Sequence, residues 1–261
     1  MNKKHYLMIV EGAHDTSIVG NILKYKKWAK RKEAPSKISD VWNSIIPDKF
    51  PFNSDRYDRI TPVPDFYESD NLSIAIKTAG GDSSLASTLA QTISVMEIKE
   101  QAQIDGILVL MDADTFFASK KTEAFIDELS KETTIEMLDN SVSVVGSPVK
   151  IEVKEFCFPD NKNVGNLENL LIDCGKIQYT DLLDLSNEYV SKADSLGLEE
   201  SKIDKIQYKK KAIIGCMTNI LKPGKANQSS ILDNKWVTDE TAENVEGLKQ
   251  LINCLESFLG M

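Results

Sequence analysis

Two short, purely apolar runs that each end at an acidic residue constrain the fold of this 261-residue chain most strongly. Residues 6–10 read YLMIV and precede Glu11. Residues 107–111 read ILVLM and precede Asp112. Runs of this length that are apolar on both faces are typical of strands buried inside a parallel sheet. Because helical patterns alternate with these and other strand patterns, the sequence predicts an α/β fold with a largely parallel central sheet.

The rest of the chain divides into a core, an insertion and a C-terminal part. Residues 35–71 contain five prolines interleaved with aromatic residues and show no clear period, so they predict a loop inserted after the first helix. Residues 1–135, with this insertion, are predicted to form the core. Residues 136–261 are predicted to complete the domain with a strand at 149–158 and a mainly helical part from about residue 180.

Composition excludes several classes of protein. No apolar run approaches the roughly 18 residues of a membrane helix, and the N-terminal pattern does not resemble a signal peptide, so we expect a cytoplasmic protein. The four cysteines are scattered singly and there are two histidines, which disfavours zinc, disulfides and His-based catalysis. GxxxxGK[ST] and GxGxxG motifs are absent. The net charge of −9 counts mildly against nucleic acid as a partner.

Acidic side chains follow the two buried strands. Asp112 and Asp114 are two residues apart, a spacing that places strand side chains on one side. If the two strands are neighbours, Glu11 joins them at the carboxyl edge of the sheet, where ligands bind in such folds. Oxygen-only clusters suit Mg²⁺, with Mn²⁺ as a substitute. The plainer interpretation of each acid alone is a turn former or helix cap.

The same residues carry a resemblance to a known family. Residues 10–15 (VEGAHD) resemble the Toprim signature VEGxxD, which follows an apolar strand and opens a helix. The DxD pair at Asp112 and Asp114 and the glycine turn at 80–81 are similar to further Toprim features. This resemblance covers about residues 4–129 and implies a Toprim, Rossmann-like core that binds Mg²⁺ and acts on phosphodiester bonds.

A narrower resemblance extends into the C-terminal half. Residues 158–161 (FPDN) and 165–168 (GNLE) resemble the PDN…GxLE pattern of DUF3226, a family of small Toprim-like proteins related to OLD-type (overcoming lysogenization defect) nucleases. The resemblance implies that Asp112 and Asp114 are magnesium ligands and that Glu11 is a ligand or a general acid or base. It also implies that Asp160 and Glu168 complete a second metal position, although each equally suits a turn or a helix start.

Two basic stretches are candidates for binding negative charge. Lys211, from the lysine run at 209–211, is a candidate for a catalytic cation, although a solvated helix face is the more frequent reason for such a run. Residues 24–37 hold seven basic residues, one acid, Tyr25 and Trp28, a mixture that suits single-stranded nucleic acid. The ordinary interpretation is an exposed helix end.

The sequence therefore predicts a Mg²⁺-dependent nuclease that acts on DNA or RNA. A second hypothesis is a non-catalytic module that holds a metal-nucleotide or serves as a subunit of a larger defence or repair complex. A third is chemistry on a small phosphorylated metabolite. The apolar faces predicted in the C-terminal helices are compatible with a homodimer or another protein partner.

Overall fold

The computed structural model describes residues 3–46, 52–53, 56–57, 63–197 and 206–261. Its strands are, in chain order, β1 (Lys4–Val10), β2 (Lys30–Lys32), β3 (Phe52–Asn53), β4 (Arg56–Tyr57), β5 (Asp65–Glu68), β6 (Leu72–Thr78), β7 (Ile104–Asp112), β8 (Ile135–Leu138), β9 (Ser141–Val144) and β10 (Ile151–Phe158). Its α-helices are α1 (Ala13–Tyr25), α2 (Leu85–Ser94), α3 (Ile98–Gln101), α4 (Ala118–Leu129), α5 (Leu167–Gln178), α6 (Thr180–Asp194), α7 (Ile206–Leu221), α8 (Asn227–Asp233), α9 (Asp239–Asn244) and α10 (Glu246–Leu259).

One eight-stranded sheet organises the fold, in the order β2-β5-β6-β1-β7-β10-β9-β8. The four central strands β6, β1, β7 and β10 run parallel, and the strands outside them are antiparallel. The two apolar runs lie side by side at the centre, with Leu7 paired with Ile107. The prediction of a mixed α/β fold with a largely parallel centre is therefore confirmed.

Helices cover both faces of the sheet, so the core lies in two layers. Met8 and Val10 of β1 join a layer formed with helices α1, α5, α7 and α10. Leu7 and Ile9 join the opposite layer, which is formed with α2 and α4. Successive strand residues point to opposite faces, and both faces are buried, which is why this strand is apolar throughout.

The described parts of the predicted inserted loop are integral to the fold. A short 3₁₀ helix, Asp40–Ile45, buries Trp42 completely in the second layer. The strand β5 pairs with β6 and extends the sheet. The sequence did not reveal this strand because it is only four residues long, too short for an alternating pattern to stand out among prolines and aromatics. Residues 47–51, 54–55 and 58–62 of that segment lie outside the described residues.

The C-terminal part contains more sheet than the sequence predicts. The β8–β9 hairpin is an edge pair that precedes β10, and only β10 was expected there. The described residues after 179 form helices α6 to α10, as expected. None of the described helices is long and apolar enough to cross a lipid bilayer.

Candidate functional site

The carboxyl ends of the four parallel strands meet at one edge of the sheet and bring two predicted acids together. Glu11 directly follows β1, and Asp112 ends the neighbouring strand β7. The Glu11 Oε2 atom accepts a hydrogen bond from the Asp112 backbone N–H at 3.3 Å. Two acids that are 101 residues apart in sequence therefore lie within one site.

Asp112 is held by the start of helix α5. Its Oδ1 atom accepts a hydrogen bond from the Leu167 N–H at 2.8 Å. Burial raises the pKa of Asp112 well above its ordinary value, and the charges of Asp15, Glu11 and Glu168 raise it further. A carboxylate in this position is stable in its charged form only when positive charge accompanies it.

Asp15 is a buried acid that was not among the predicted site residues, although it lies within the VEGxxD motif. It lies in the first turn of α1, and its Oδ2 accepts a hydrogen bond from the Gly12 N–H at 2.6 Å. Burial raises its pKa to about 8; the Gly12 bond and Lys211 oppose this rise, and Glu11 and Glu168 add to it. The VEGxxD motif, which ends at Asp15, is the sequence signal that could have placed this residue in the site.

Glu168 lies opposite, as the second residue of α5, with only 5% of its side chain exposed. Its Oε1 atom is 3.9 Å from His14 Nδ1. Its Oε2 atom is buried and has no hydrogen-bond partner. Leaving a buried acceptor unsatisfied costs about 1–3 kcal/mol, and more when the group is charged. The site thus has an unmet requirement for a donor or a cation.

Asp114 is placed by a turn rather than by the strand. Its backbone has φ = 53°, in the left-handed region, and exchanges two hydrogen bonds with Gly165, at 2.6 and 2.8 Å. Burial raises the pKa of Asp114 and Lys121 opposes this rise. Because β7 ends at Asp112, the rule that residues two apart share a strand face does not set the direction of Asp114.

Two lysines supply positive charge around these acids. Lys211 of α7, the candidate for a catalytic cation, lines the site. Lys121 of α4, which sequence reasoning missed, donates a hydrogen bond to Asp82 at 2.6 Å and is only 10% exposed. Burial acts to lower the pKa of Lys121, but the bond and charge of Asp82 outweigh this and raise it. Helical spacing alone did not distinguish this lysine from the exposed ones of α4.

A cavity of about 370 Å³ lies between these groups. Its acidic lining consists of Glu11, Asp15, Asp112 and Glu168. Gly80 and Gly81, with φ of 83° and 144°, form one rim and donate backbone hydrogen bonds to the Glu11 carbonyl oxygen. That positive-φ turn is the structural reason for the glycine pair.

Asp160 does not reach this cavity. Its carboxylate accepts hydrogen bonds from the backbone N–H groups of Lys162 and Asn163, and from the Asn163 side chain at 2.6 Å. Burial acts to raise the pKa of Asp160, but these bonds lower it. Asp160 lines a separate cavity with α5 and the start of α10, so its placement fits the turn interpretation.

Within the described ranges, no three His, Cys, Asp or Glu side chains are arranged so that they could hold a metal ion as they stand. Mg²⁺ keeps several waters and commonly uses only one or two protein carboxylates. The unpartnered Glu168 oxygen and the paired acids Glu11 and Asp112 are chemically suited to such an ion. A change of side-chain rotamer would be needed for three of them to share it.

The buried acids predict how the stability of the metal-free protein depends on pH. The folded-state pKa of Asp15 lies at about 8, above its ordinary value of 3.8, so the folded state holds the proton more tightly. Its contribution is therefore complete at low pH and is lost as the pH rises through this window. In EDTA, we expect the free energy of unfolding, measured with urea, to fall between pH 5 and pH 8.

Asp15→Asn should reduce that fall, because an amide does not titrate. The exposed Asp181→Asn is the matched control and should leave the pH dependence of the wild type unchanged. An equal fall in both variants would contradict the assignment to Asp15.

The comparisons with known proteins support the fold and leave the chemistry open. A family model, described as "Protein of unknown function (DUF3226)", matches residues 5–259. The chain belongs to the DUF3226 family. This DUF3226 protein is also similar to the crystal structure of a hypothetical protein from Pyrococcus horikoshii OT3, with 16% identity and a TM-score of 0.51. The similarity covers 97% of this chain and 99% of the archaeal one, and at this identity it concerns the fold alone. A search of curated proteins found no match.

Proposed function

We propose that this DUF3226 protein is a Mg²⁺-dependent phosphodiesterase, with a Toprim-type core, that acts on DNA or RNA. The observation that carries the proposal is the buried, unpartnered oxygen of Glu168 in a cavity that also contains Glu11 and Asp112. A cavity lined by buried carboxyl groups, one of which has an unpartnered oxygen, is suited to a hard divalent cation. The order of the motifs, VEGxxD and then DxD, adds the resemblance to Toprim proteins.

Glu11, Asp112 and Glu168 would hold the cation after a change of side-chain rotamer, and the charge of Asp114 also acts on Glu11. Bound there, Mg²⁺ would polarise the phosphoryl group and lower the pKa of an attacking water. Asp112 is oriented for this by the Leu167 N–H, so that its other oxygen is available. Asp160 is left out of the ligand set because its oxygens are engaged in their own turn.

The lysines of the site have separate tasks in this proposal. Lys211 lines the cavity and would face the negative charge that develops on the phosphoryl oxygens. Lys121 is held by Asp82 and offsets the charges of Glu11 and Asp114 on the other side. In this arrangement Lys211 acts on the substrate, and Lys121 stabilises the charged form of the buried acids.

Binding of Mn²⁺ provides the first test of the proposal. A ligand that binds only the folded state stabilises it by about 2.7 kcal/mol at one hundred times its Kd. We therefore expect saturating Mn²⁺ to raise the Tm, and titration calorimetry to detect its binding. Glu168→Gln should lose most of this rise, whereas Asp160→Asn should keep it.

A cleavage assay separates an enzyme from a binding module. Single- and double-stranded DNA and RNA are incubated with the protein in Mg²⁺, Mn²⁺ or EDTA. Metal-dependent cleavage of one of them supports the phosphodiesterase. Metal binding without cleavage of any of them would overturn the enzymatic proposal in favour of a non-catalytic module. Cleavage of small phosphorylated compounds alone would identify a metabolite enzyme.

A further inference from the structure

A second cavity, of about 510 Å³, lies at the C-terminal end of α1, between that helix, strands β2 and β5 and helix α8. Its inner wall is apolar and includes Ala29, Leu232 and Tyr67. Leu232 and Tyr67 pack on Gly20, where a Cβ would overlap both side chains, and so close the face of α1 behind the cavity. Among the described residues, it shares no lining residue with the acidic cavity. Small-molecule sites typically have volumes of roughly 300–1,000 Å³, so this cavity is large enough for one.

The mouth of this cavity is basic, although the whole chain has a net charge of −9. Four basic residues and one acid line it: Lys24, Lys27, Lys30, Arg31 and Asp233. Asp233 is paired with Lys222 of α7, the main cause of its lowered pKa, and lies farther from Lys24, at 3.7 Å. We call this site the basic cavity. Its single acid is thus already neutralised by a lysine outside the lining.

The sheet register shows which of these cations face the basic cavity. Arg31 lies opposite Tyr67, and Lys30 lies opposite Glu68. Because directly opposed residues of antiparallel strands share a face, Arg31 is on the side of the Tyr67 wall and Lys30 is on the other side. Arg31 is held in place by Asp65 at 2.6 Å. In the described part of the chain, Lys27 forms no ion pair, so its charge is available to a ligand.

Lys27 occupies a backbone position that usually belongs to glycine. Its φ of 58° lies in the left-handed region. Its N–H donates to the Lys24 carbonyl oxygen at 3.1 Å, and the Trp28 N–H donates to the Leu23 carbonyl oxygen at 3.0 Å, which closes the end of α1. Helix ends of this kind favour glycine because a Cβ is strained there. Strained residues of this sort cluster at ligand clamps and active sites, so the side chain of Lys27 calls for a functional reason.

The two aromatic side chains of the basic stretch 24–37 are already engaged. Tyr25 donates a hydrogen bond to Asp239, and Lys26 Nζ lies 5.7 Å from the centroid of the Trp28 ring. This stretch therefore offers cations beside an apolar wall rather than free rings. Such a combination suits a ligand that has both a phosphate group and an apolar part.

We propose that the basic cavity binds a small organic phosphate of about mononucleotide size. The phosphate lies among Lys24, Lys27 and Arg31, which hold it through charge-assisted hydrogen bonds. The apolar part of the ligand packs against Ala29 and Leu232. This site needs no metal and stands apart from the acidic cavity, so it goes beyond the proposed function and does not rest on it.

The test is the binding of ADP in EDTA, measured by titration calorimetry. Lys27→Gly removes the unpaired cation and supplies the residue that the turn favours, so the Tm should not fall and weaker binding cannot be ascribed to unfolding. We expect the Kd for ADP to rise by about tenfold or more, the effect of losing a hydrogen bond to a charged group. Absence of ADP binding by the wild type, or an unchanged Kd in Lys27→Gly, would overturn the proposal.

Three further variants assign the binding to this cavity. Lys24→Gln should raise the Kd by at least about threefold, as expected for a partly solvated ionic contact. Lys4→Gln is the matched control, because Lys4 lines a neighbouring cavity that also includes Lys27 but does not line the basic one. Lys211→Gln removes the cation of the acidic cavity. Both controls should bind ADP like the wild type, and weakening in either that equals Lys24→Gln would place the ligand elsewhere and refute the proposal.

Two other probes separate the sources of phosphate. Pyrophosphate lacks an apolar part and should bind more weakly than ADP, because only ADP can use the apolar wall. Equal affinities would contradict the proposed ligand class. A single-stranded DNA 12-mer that binds through Lys27 while ADP does not would replace the small ligand with a polynucleotide. Because none of these measurements needs metal or cleavage, a negative result leaves the proposed function of the acidic cavity unaffected.

Discussion

Asp112→Asn is expected to abolish metal-dependent phosphodiester cleavage, lowering the rate by roughly 10³-fold or more. The residue lies between Glu11 and the start of α5, and it would supply a charged oxygen to the cation. A metal that acts as Lewis acid and activates water contributes several kcal/mol to the barrier, and about 4 kcal/mol corresponds to a thousandfold. The rate is measured on the best substrate of the cleavage panel, at saturating Mg²⁺.

Folding does not limit this experiment. Burial raises the pKa of Asp112, so the neutral amide suits its surroundings at least as well, and the Leu167 N–H can donate to the amide oxygen. The free energy of unfolding in EDTA should therefore not decrease. Asp160→Asn is the matched control and should stay within about threefold of wild-type activity. Full activity of Asp112→Asn would remove the acidic cavity from consideration as the catalytic centre.

Trp42→Ala is expected to destabilise the fold by about 3–5 kcal/mol. Trp42 is fully buried, and its Nε1–H donates to Ser73 Oγ at 2.7 Å. The Ser73 hydroxyl in turn donates to Glu68 Oε1 at 2.6 Å, so that the substitution leaves both a large cavity and a disturbed polar chain. Total stabilities of about 5–15 kcal/mol make this a large fraction. Urea unfolding measures it directly.

The matched control is Tyr189→Ala, since Tyr189 is 66% exposed on α6. Its effect should stay within about 0.5 kcal/mol. A loss of less than 1 kcal/mol for Trp42→Ala would show that the 3₁₀ helix Asp40–Ile45 detaches readily. The segment would then be a loop that the core does not require for its stability.

The central sheet was predictable because its signals are local. Residues 6–10 and 107–111 are apolar at every position, which is typical of a short strand covered on both faces. Because the two strands were predicted to be parallel, Glu11 and Asp112, which follow them, were expected at the same edge of the sheet. The positions of those two acids follow from pattern, as does the helical C-terminal part, whereas Glu168 at the start of α5 came from the resemblance to DUF3226.

The remaining parts depend on contacts that no local pattern records. The turn at Asp114 is set by hydrogen bonds to Gly165, fifty-one residues later. Lys121 is buried only because Asp82 of another segment meets it. The β8–β9 hairpin consists of four-residue strands, which are too short for alternation to be distinctive. For Asp160 the sequence left a ligand role and a turn role open, and the contacts that satisfy its carboxylate within its own turn are visible only in the structure.

The position of β2 has a consequence for how this protein behaves at high concentration. In the described part of the chain, β2 is an outermost strand of the sheet and reads Lys-Arg-Lys. An outer strand presents unpaired N–H and C=O groups on which a second copy of the chain can add a strand, and charged side chains oppose this. The side chains of Lys30 and Arg31 on β2 would thus oppose aggregation through this edge. Replacing them with valine or threonine should promote insoluble assembly, whereas glutamate keeps the edge charged and the protein dispersed.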